Sequence, residues 1–157
     1  MSTLRLMSLM AVLAVPVFMA GTESTEAEAG YGYRQYYSSW NYYPTNRYYY
    51  RTYYYKPYAR YSGYRYHYCI HYPSRPRYVY YYNPHSRRYW GRFDLQGKDG
   101  AHYSLLKKED QKENLADIPE EAFPTPSAMP VIPESEDGIQ IEMPEGVPEQ
   151  DLPADNS

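Results

Sequence analysis

Apolar and polar positions fall into a readable order in only one part of this chain, between residues 64 and 106, and there they predict strands. Tyr66 to Tyr72 is a first strand, ended by Pro73-Ser74-Arg75-Pro76, and His67, Cys69 and His71 alternate along it on one face. Arg77 to Tyr82 is a second, followed by the turn Asn83-Pro84-His85-Ser86. Arg88 to Leu95 is a third, in which Tyr89, Gly91, Phe93 and Leu95 share a face. Gly97-Lys98-Asp99-Gly100 is a turn of the Asp-Gly kind, and Ala101 to Leu106 closes an antiparallel meander of three or four short strands, a minimum for independent stability.

On either side the pattern fades. Residues 31–63 carry a loose five-residue repeat (Tyr48-Tyr49-Tyr50-Arg51-Thr52, then Tyr53-Tyr54-Tyr55-Lys56-Pro57), with neither a helical stripe nor strict alternation. With the acidic stretch 21–30 they predict a disordered Tyr/Arg-rich arm over 21–63. Ser104 caps an expected helix from Leu105 to about Ala116, and Pro119 to Phe123 adds one more turn, which makes 107–123 a short helical segment. From Pro124 onward prolines recur among acids, so 124–157 reads as an acidic, proline-rich disordered tail, in part laid across the sheet. The fold class expected from the pattern is thus a mostly disordered, low-complexity chain around a small β-meander at 64–106 and one short helix.

The longest apolar run lies at the start. Arg5 precedes Leu6 to Met19, which is apolar apart from Ser8, and this is the layout of a signal peptide over residues 1–20. The run is shorter than the roughly 20 residues of a transmembrane helix and Pro16 interrupts it, so no membrane anchor is expected. Cleavage falls between 20 and 29, after Ala20 or near Ala27-Glu28-Ala29, and the expected location is secreted, periplasmic or extracellular.

Composition sharpens the contrast. Of 24 tyrosines, 23 lie between Tyr31 and Tyr89, interleaved with eleven Arg/Lys from Arg34 to Arg92 and no Asp or Glu. Residues 93–157 hold sixteen acids, four lysines and one tyrosine, Tyr103, so the net charge of −3 conceals a basic aromatic half fused to an acidic one. The acidic half is a natural internal partner of the basic half. Between 31 and 123 the Val, Ile and Leu are only Ile70, Val79, Leu95, Leu105, Leu106, Leu115 and Ile118, which excludes a densely packed aliphatic interior. Tyrosine can serve as core, provided each buried phenol finds a hydrogen-bond partner. Cys69 is the single cysteine, so there is no internal disulfide; it is a free thiol or pairs two copies.

The stretch Tyr80 to Asp94, continuing through Tyr103-Ser104-Leu105-Leu106 and Ile118-Pro119-Glu120-Glu121-Ala122-Phe123-Pro124, resembles small secreted tyrosine-rich bacterial proteins. The resemblance spans residues 66–148 and implies a recurring module, with no activity attached to it.

Three chemistries deserve weighing. His67, Cys69 and His71 are good zinc or copper ligands, roughly 6.5–7 Å apart from one to the next along a strand, but no fourth ligand with recognisable spacing accompanies them. Catalysis has little to build on: Ser74, Ser86 and Ser104 sit in turns or at a strand end, and no phosphate loop, dinucleotide fingerprint or metalloprotease motif occurs. A non-enzymatic protein without cofactor is therefore expected, with copper or zinc as the alternative. The Tyr/Arg block is the strongest signal. Tyr48, Tyr49, Tyr50, Arg51, Tyr53, Tyr54, Tyr55 and Arg60 are the candidate contacts for multivalent association with an envelope or extracellular polymer, or with other copies. In a cytosolic chain such interleaving suggests single-stranded nucleic acid, which the leader argues against.

Overall fold

The computed structural model describes residues 32–148. Seven strands run through them: β1 (Gln35–Tyr37), β2 (Asn41–Tyr43), β3 (Tyr48–Tyr55), β4 (Arg65–His71), β5 (Tyr78–Asn83), β6 (Arg88–Lys98) and β7 (Ala101–Leu105). All pairings are antiparallel, in the order β1-β3-β4-β5-β6-β7, and the sheet curls into a half-barrel. β2 also pairs with β3, opposite residues 48–50, while β1 lies opposite 53–55. The two are one edge strand interrupted at Ser38-Ser39-Trp40. Ser38 spans the break, its amide donating to the Thr52 carbonyl (2.9 Å) and its hydroxyl accepting from the Thr52 amide (2.8 Å).

This corrects the expected fold class. The four strands anticipated between residues 66 and 106 are β4 to β7, but they form only part of a seven-stranded sheet. The supposed disordered arm supplies β1, β2 and β3 as far as residues 32–63 are described. The reason is chemical. Strands are recognised by contrast between their two faces, and β3 reads YYYRTYYY, with tyrosine on both. Tyr53 and Tyr55 face inward and are buried, whereas Tyr48, Tyr50 and Tyr54 face the other way and are half-buried.

No α-helix occurs among the described residues. The segment 107–123 makes three single 3₁₀ turns, at Lys108–Asp110, Leu115–Asp117 and Glu120–Ala122. Residues 107 to 114 are eight consecutive polar residues and offer no apolar stripe for a helix to bury. Instead the chain runs across the outer face of β4 to β6 as a strap, setting down Leu106, Leu115, Ile118 and Phe123 against Ile70, Tyr80 and Tyr89.

The proline-rich continuation is ordered through residue 148. Ser127 bridges to Tyr103 on β7, a short hairpin closes between Val131 and Gln140, and Met129, Ile132 and Ile141 are buried on the inner face of the sheet. There they meet Tyr53, Tyr55, Cys69, Val79, Tyr81, Trp90, Phe93 and Tyr103. The two faces thus have separate cores, and the few aliphatic residues beyond position 105 cover both.

Two local features set the register. A bulge between Tyr81 and Tyr82 places Tyr89 opposite Tyr82 and Gly91 opposite Tyr81. Tyr89 therefore joins the outer cluster while Trp90 and Phe93 join the inner one, which corrects the expectation that Tyr89, Gly91 and Phe93 share a face. Gly91 lies under the Tyr103 ring, and a Cβ there would approach the ring carbons to 2.6 Å. Asp99 and Gly100 both have positive φ (54° and 77°), so the Asp-Gly turn between β6 and β7 matches the right-handed twist of its strands. The expected signal peptide (1–20), its cleavage region and the end of the tail (149–157) lie outside the described residues.

Candidate functional site

The outer face of β1 to β4 carries a continuous field of tyrosine rings. At one end Tyr36 on β1 stacks on Tyr54 of β3 (centroids 4.9 Å, planes 18° apart), Tyr54 neighbours Tyr66 of β4 (6.2 Å), and Tyr64 sets its edge against Tyr36 (5.0 Å). At the other end Tyr43, Tyr48 and Tyr72 line up across β2, β3 and the end of β4 at 5.4 Å per step. Tyr68 and Tyr50 join the two ends, with Tyr66–Tyr68 at 5.8 Å, Tyr68–Tyr50 at 6.3 Å and Tyr50–Tyr48 at 6.3 Å. From residue 54 to residue 48 of β3 the field extends over about 20 Å.

Register builds this platform. Antiparallel pairing sets Tyr54 opposite Tyr36 and Tyr66, and Tyr48 opposite Tyr43, so same-face residues on neighbouring strands become ring-to-ring neighbours. Each such pair contributes about 0.5–1.5 kcal/mol beyond its buried area. Tyr36, Tyr43 and Tyr66 are 38%, 41% and 46% exposed, and the strap over residues 106–123 does not reach them. Partial burial, and after it the neighbouring phenols, raise the pKa of Tyr36, Tyr48 and Tyr68 above the ordinary tyrosine value. Beside the platform, Tyr72 and Tyr89 share a hydroxyl–hydroxyl hydrogen bond of 2.9 Å, in the wall of a groove of about 660 Å³ that separates it from the strap.

The anticipated contact residues divide between the faces. Tyr48, Tyr50 and Tyr54 belong to the platform. Tyr53 and Tyr55 are inner core, the Tyr53 hydroxyl donating to Gln35 Oε1 at 2.7 Å. Tyr49 points inward beside Tyr42 (4.9 Å). Arg51 lies over the Tyr37 and Trp40 rings and donates to the carbonyls of Ser38 (2.8 Å) and Glu145 (2.7 Å). Arg60 is exposed in the loop between β3 and β4. Sequence reasoning missed Tyr36, Tyr43, Tyr64, Tyr66 and Tyr68 as surface contacts. Tyr64-x-Tyr66-x-Tyr68 carried a signal in its spacing of two, whereas Tyr36 and Tyr43 sit in the pairs Tyr36-Tyr37 and Tyr42-Tyr43, which show no period.

Arginine is largely committed to the acidic half. Arg34 pairs with Asp137 (2.6 Å), Arg92 with Glu120 (2.6 Å), Arg65 with Glu134 and Arg87 with Glu113, while Arg77 holds Asp94 through two bonds of 2.9 and 2.7 Å. Arg92 is also sandwiched between the rings of Tyr78 (3.8 Å) and Phe123 (4.0 Å).

The His67-Cys69-His71 row faces inward and is buried, with each member engaged separately. His67 Nε2 is 3.3 Å from the Tyr55 hydroxyl and its ring meets Trp90 edge-on at 5.4 Å. Burial lowers its pKa from 6.5 to about 4. His71 Nδ1 is 3.0 Å from the Tyr78 carbonyl oxygen. Cys69 is fully buried, and burial pushes its thiol well above the usual range. A folded copy consequently presents no thiol to a second copy. Among the described residues no three His, Cys, Asp or Glu side chains converge as metal ligands, and no helix is long and apolar enough to cross a membrane. No protein-family profile, curated protein or solved structure matches the chain.

Proposed function

We propose that this is a secreted, non-enzymatic binding protein whose open tyrosine platform stacks on the sugar rings of an envelope or extracellular polysaccharide. The observation that carries the reading is the unbroken ring-to-ring path from Tyr36 through Tyr54, Tyr66, Tyr68, Tyr50 and Tyr48 to Tyr43, open to solvent at Tyr36, Tyr66 and Tyr43 on a sheet that holds it in place. The C–H faces of pyranose rings pack on flat aromatic faces, and phenolic hydroxyls at the rim exchange hydrogen bonds with sugar hydroxyls. Five arginines already hold acids of the same chain, which supports a partner held mainly by stacking over one gathered mainly by charge. The signal-like leader supports an extracellular address.

Co-sedimentation with insoluble polysaccharides and isolated envelope tests the reading. The expected result is retention that changes little between about 0.05 and about 0.5 M salt, because stacking on sugar faces is not screened. Retention should fall at least tenfold in the Tyr36→Ser/Tyr66→Ser double variant, in keeping with the 1–3 kcal/mol typical of a stacking contact. A double variant retained like the wild-type chain would overturn it.

A further inference from the structure

At the Tyr64–Tyr66 end the platform borders a cleft of about 780 Å³ that stacking alone does not explain. Buried Tyr55 and His67 form part of its wall, Tyr61 and Arg65 stand on one side, and Ser86 in the β5–β6 turn lies on the other. The Arg65 guanidinium lies over the Tyr61 ring (5.4 Å), donates to the Tyr61 hydroxyl from Nε (3.2 Å), and directs Nη1 to the Glu134 carboxylate. Buried His67 Nδ1 has no hydrogen-bond partner among the described residues. With its pKa lowered to about 4, the ring is neutral near pH 7.

Glu134 reaches this place from the tail hairpin, not from the sheet. Its backbone is in the left-handed region (φ 63°), uncommon for a non-glycine residue. The hairpin is held by buried Ile132, by the Ser135 amide donating to the Ile132 carbonyl (3.0 Å), and by Asp137 on Arg34. One carboxylate of the chain itself is thereby held on the one arginine that lines an aromatic and polar cleft.

We propose that the cleft takes a carboxylated sugar unit, a uronic acid, of the bound polymer, and that Glu134 is the internal stand-in its carboxylate displaces from Arg65. The proposal rests on the platform reading for the sugar class, while the site itself is separate from the platform. Arg65 takes the ligand carboxylate, Tyr61 and Tyr64 pack on the ring, and the Ser86 hydroxyl supplies a hydrogen bond to a sugar hydroxyl. Released Glu134 swings into solvent, so the tail hairpin acts as a latch with an acidic tip.

Isothermal titration of the mature full chain with sodium D-glucuronate, against D-glucose, tests this. Saturable glucuronate binding about tenfold tighter than glucose is expected, the scale of one charge-assisted hydrogen bond. Glu134→Gln should tighten glucuronate binding about two- to five-fold, because the competing surface ion pair is modest. Arg65→Gln should abolish the preference for glucuronate, with an unchanged circular dichroism spectrum reporting an intact sheet. Equal affinity for the two sugars, no glucuronate binding, or a Glu134→Gln variant that binds no tighter overturns the proposal. Loss of glucuronate binding with polymer retention intact counts against the cleft alone, and the Tyr36→Ser/Tyr66→Ser variant tests the platform independently.

Discussion

The outer face of the sheet is dominated by tyrosine, yet its two halves differ in kind. Over β5 and β6 the rings of Tyr78, Tyr80, Tyr82 and Tyr89 lie under or beside a strap whose Leu106, Leu115, Ile118 and Phe123 are buried. Over β1 to β4 the same residue type stands in solvent as Tyr36, Tyr43 and Tyr66. Tyrosine is neutral as to role: whether a ring becomes core or surface is decided by where the chain's few aliphatic side chains land. Those residues cluster after position 105, and on the outer face their reach stops short of β1 and β2. The covered half stabilises the fold, and the open half is the surface on which the proposed binding would act.

Removing the cover should have the largest effect. Phe123→Ala deletes a buried ring that meets Tyr80 at 6.2 Å and stacks on Arg92, and should cost about 3–5 kcal/mol in urea unfolding. The same truncation on the open half, Tyr66→Ala, should cost less than about 1 kcal/mol while weakening retention on polysaccharide. Comparable losses at the two positions would erase the distinction.

Acid should act on both halves through the inner face they share. His67 has a folded pKa of about 4 against 6.5 unfolded, so the unfolded chain binds the extra proton between those values. Stability should be full above about pH 6.5 and fall as the pH drops toward 4, by on the order of 3 kcal/mol at most. His71, also lowered by burial, acts in the same sense, while Asp94 and Glu120, held down by Arg77 and Arg92, extend the loss below the ordinary carboxylate range. In His67→Phe the slope between pH 6.5 and 4 should flatten, measured as the urea midpoint at each pH.

A smaller effect is expected at the bulge that sorts residues between the faces. Gly91→Ala drives a methyl group into the Tyr103 ring and should cost about 1–3 kcal/mol in thermal unfolding. An unchanged Tm would mean that this packing is not what fixes β6 in register.

The halves were not equally legible in the sequence. β4 to β7 could be read because Pro73, Pro76, Asn83-Pro84 and Asp99-Gly100 punctuate them and because aliphatic or small residues break the tyrosine runs. β3 could not, since tyrosine on both faces removes the contrast on which a period of two depends. The strap and tail were misread for a related reason. Single buried residues such as Ile132 and Ile141, spaced among prolines and acids, have no period and gain meaning only from the sheet beneath them. The internal partnership of the charged halves was legible, and the five ion pairs carry it. The platform itself was not, because exposure depends on which tyrosines the strap leaves bare.

Tyrosine nitration by tetranitromethane, mapped by mass spectrometry with and without saturating polysaccharide, tests the open-platform account most directly. Tyr36, Tyr43 and Tyr66 should react in the free protein and be protected in the complex. Tyr42, 49% exposed and set beside Tyr49 on the other face of the sheet, should react equally in both. Protection confined to other tyrosines, or none at Tyr36, Tyr43 and Tyr66 when the polymer is bound, would contradict it.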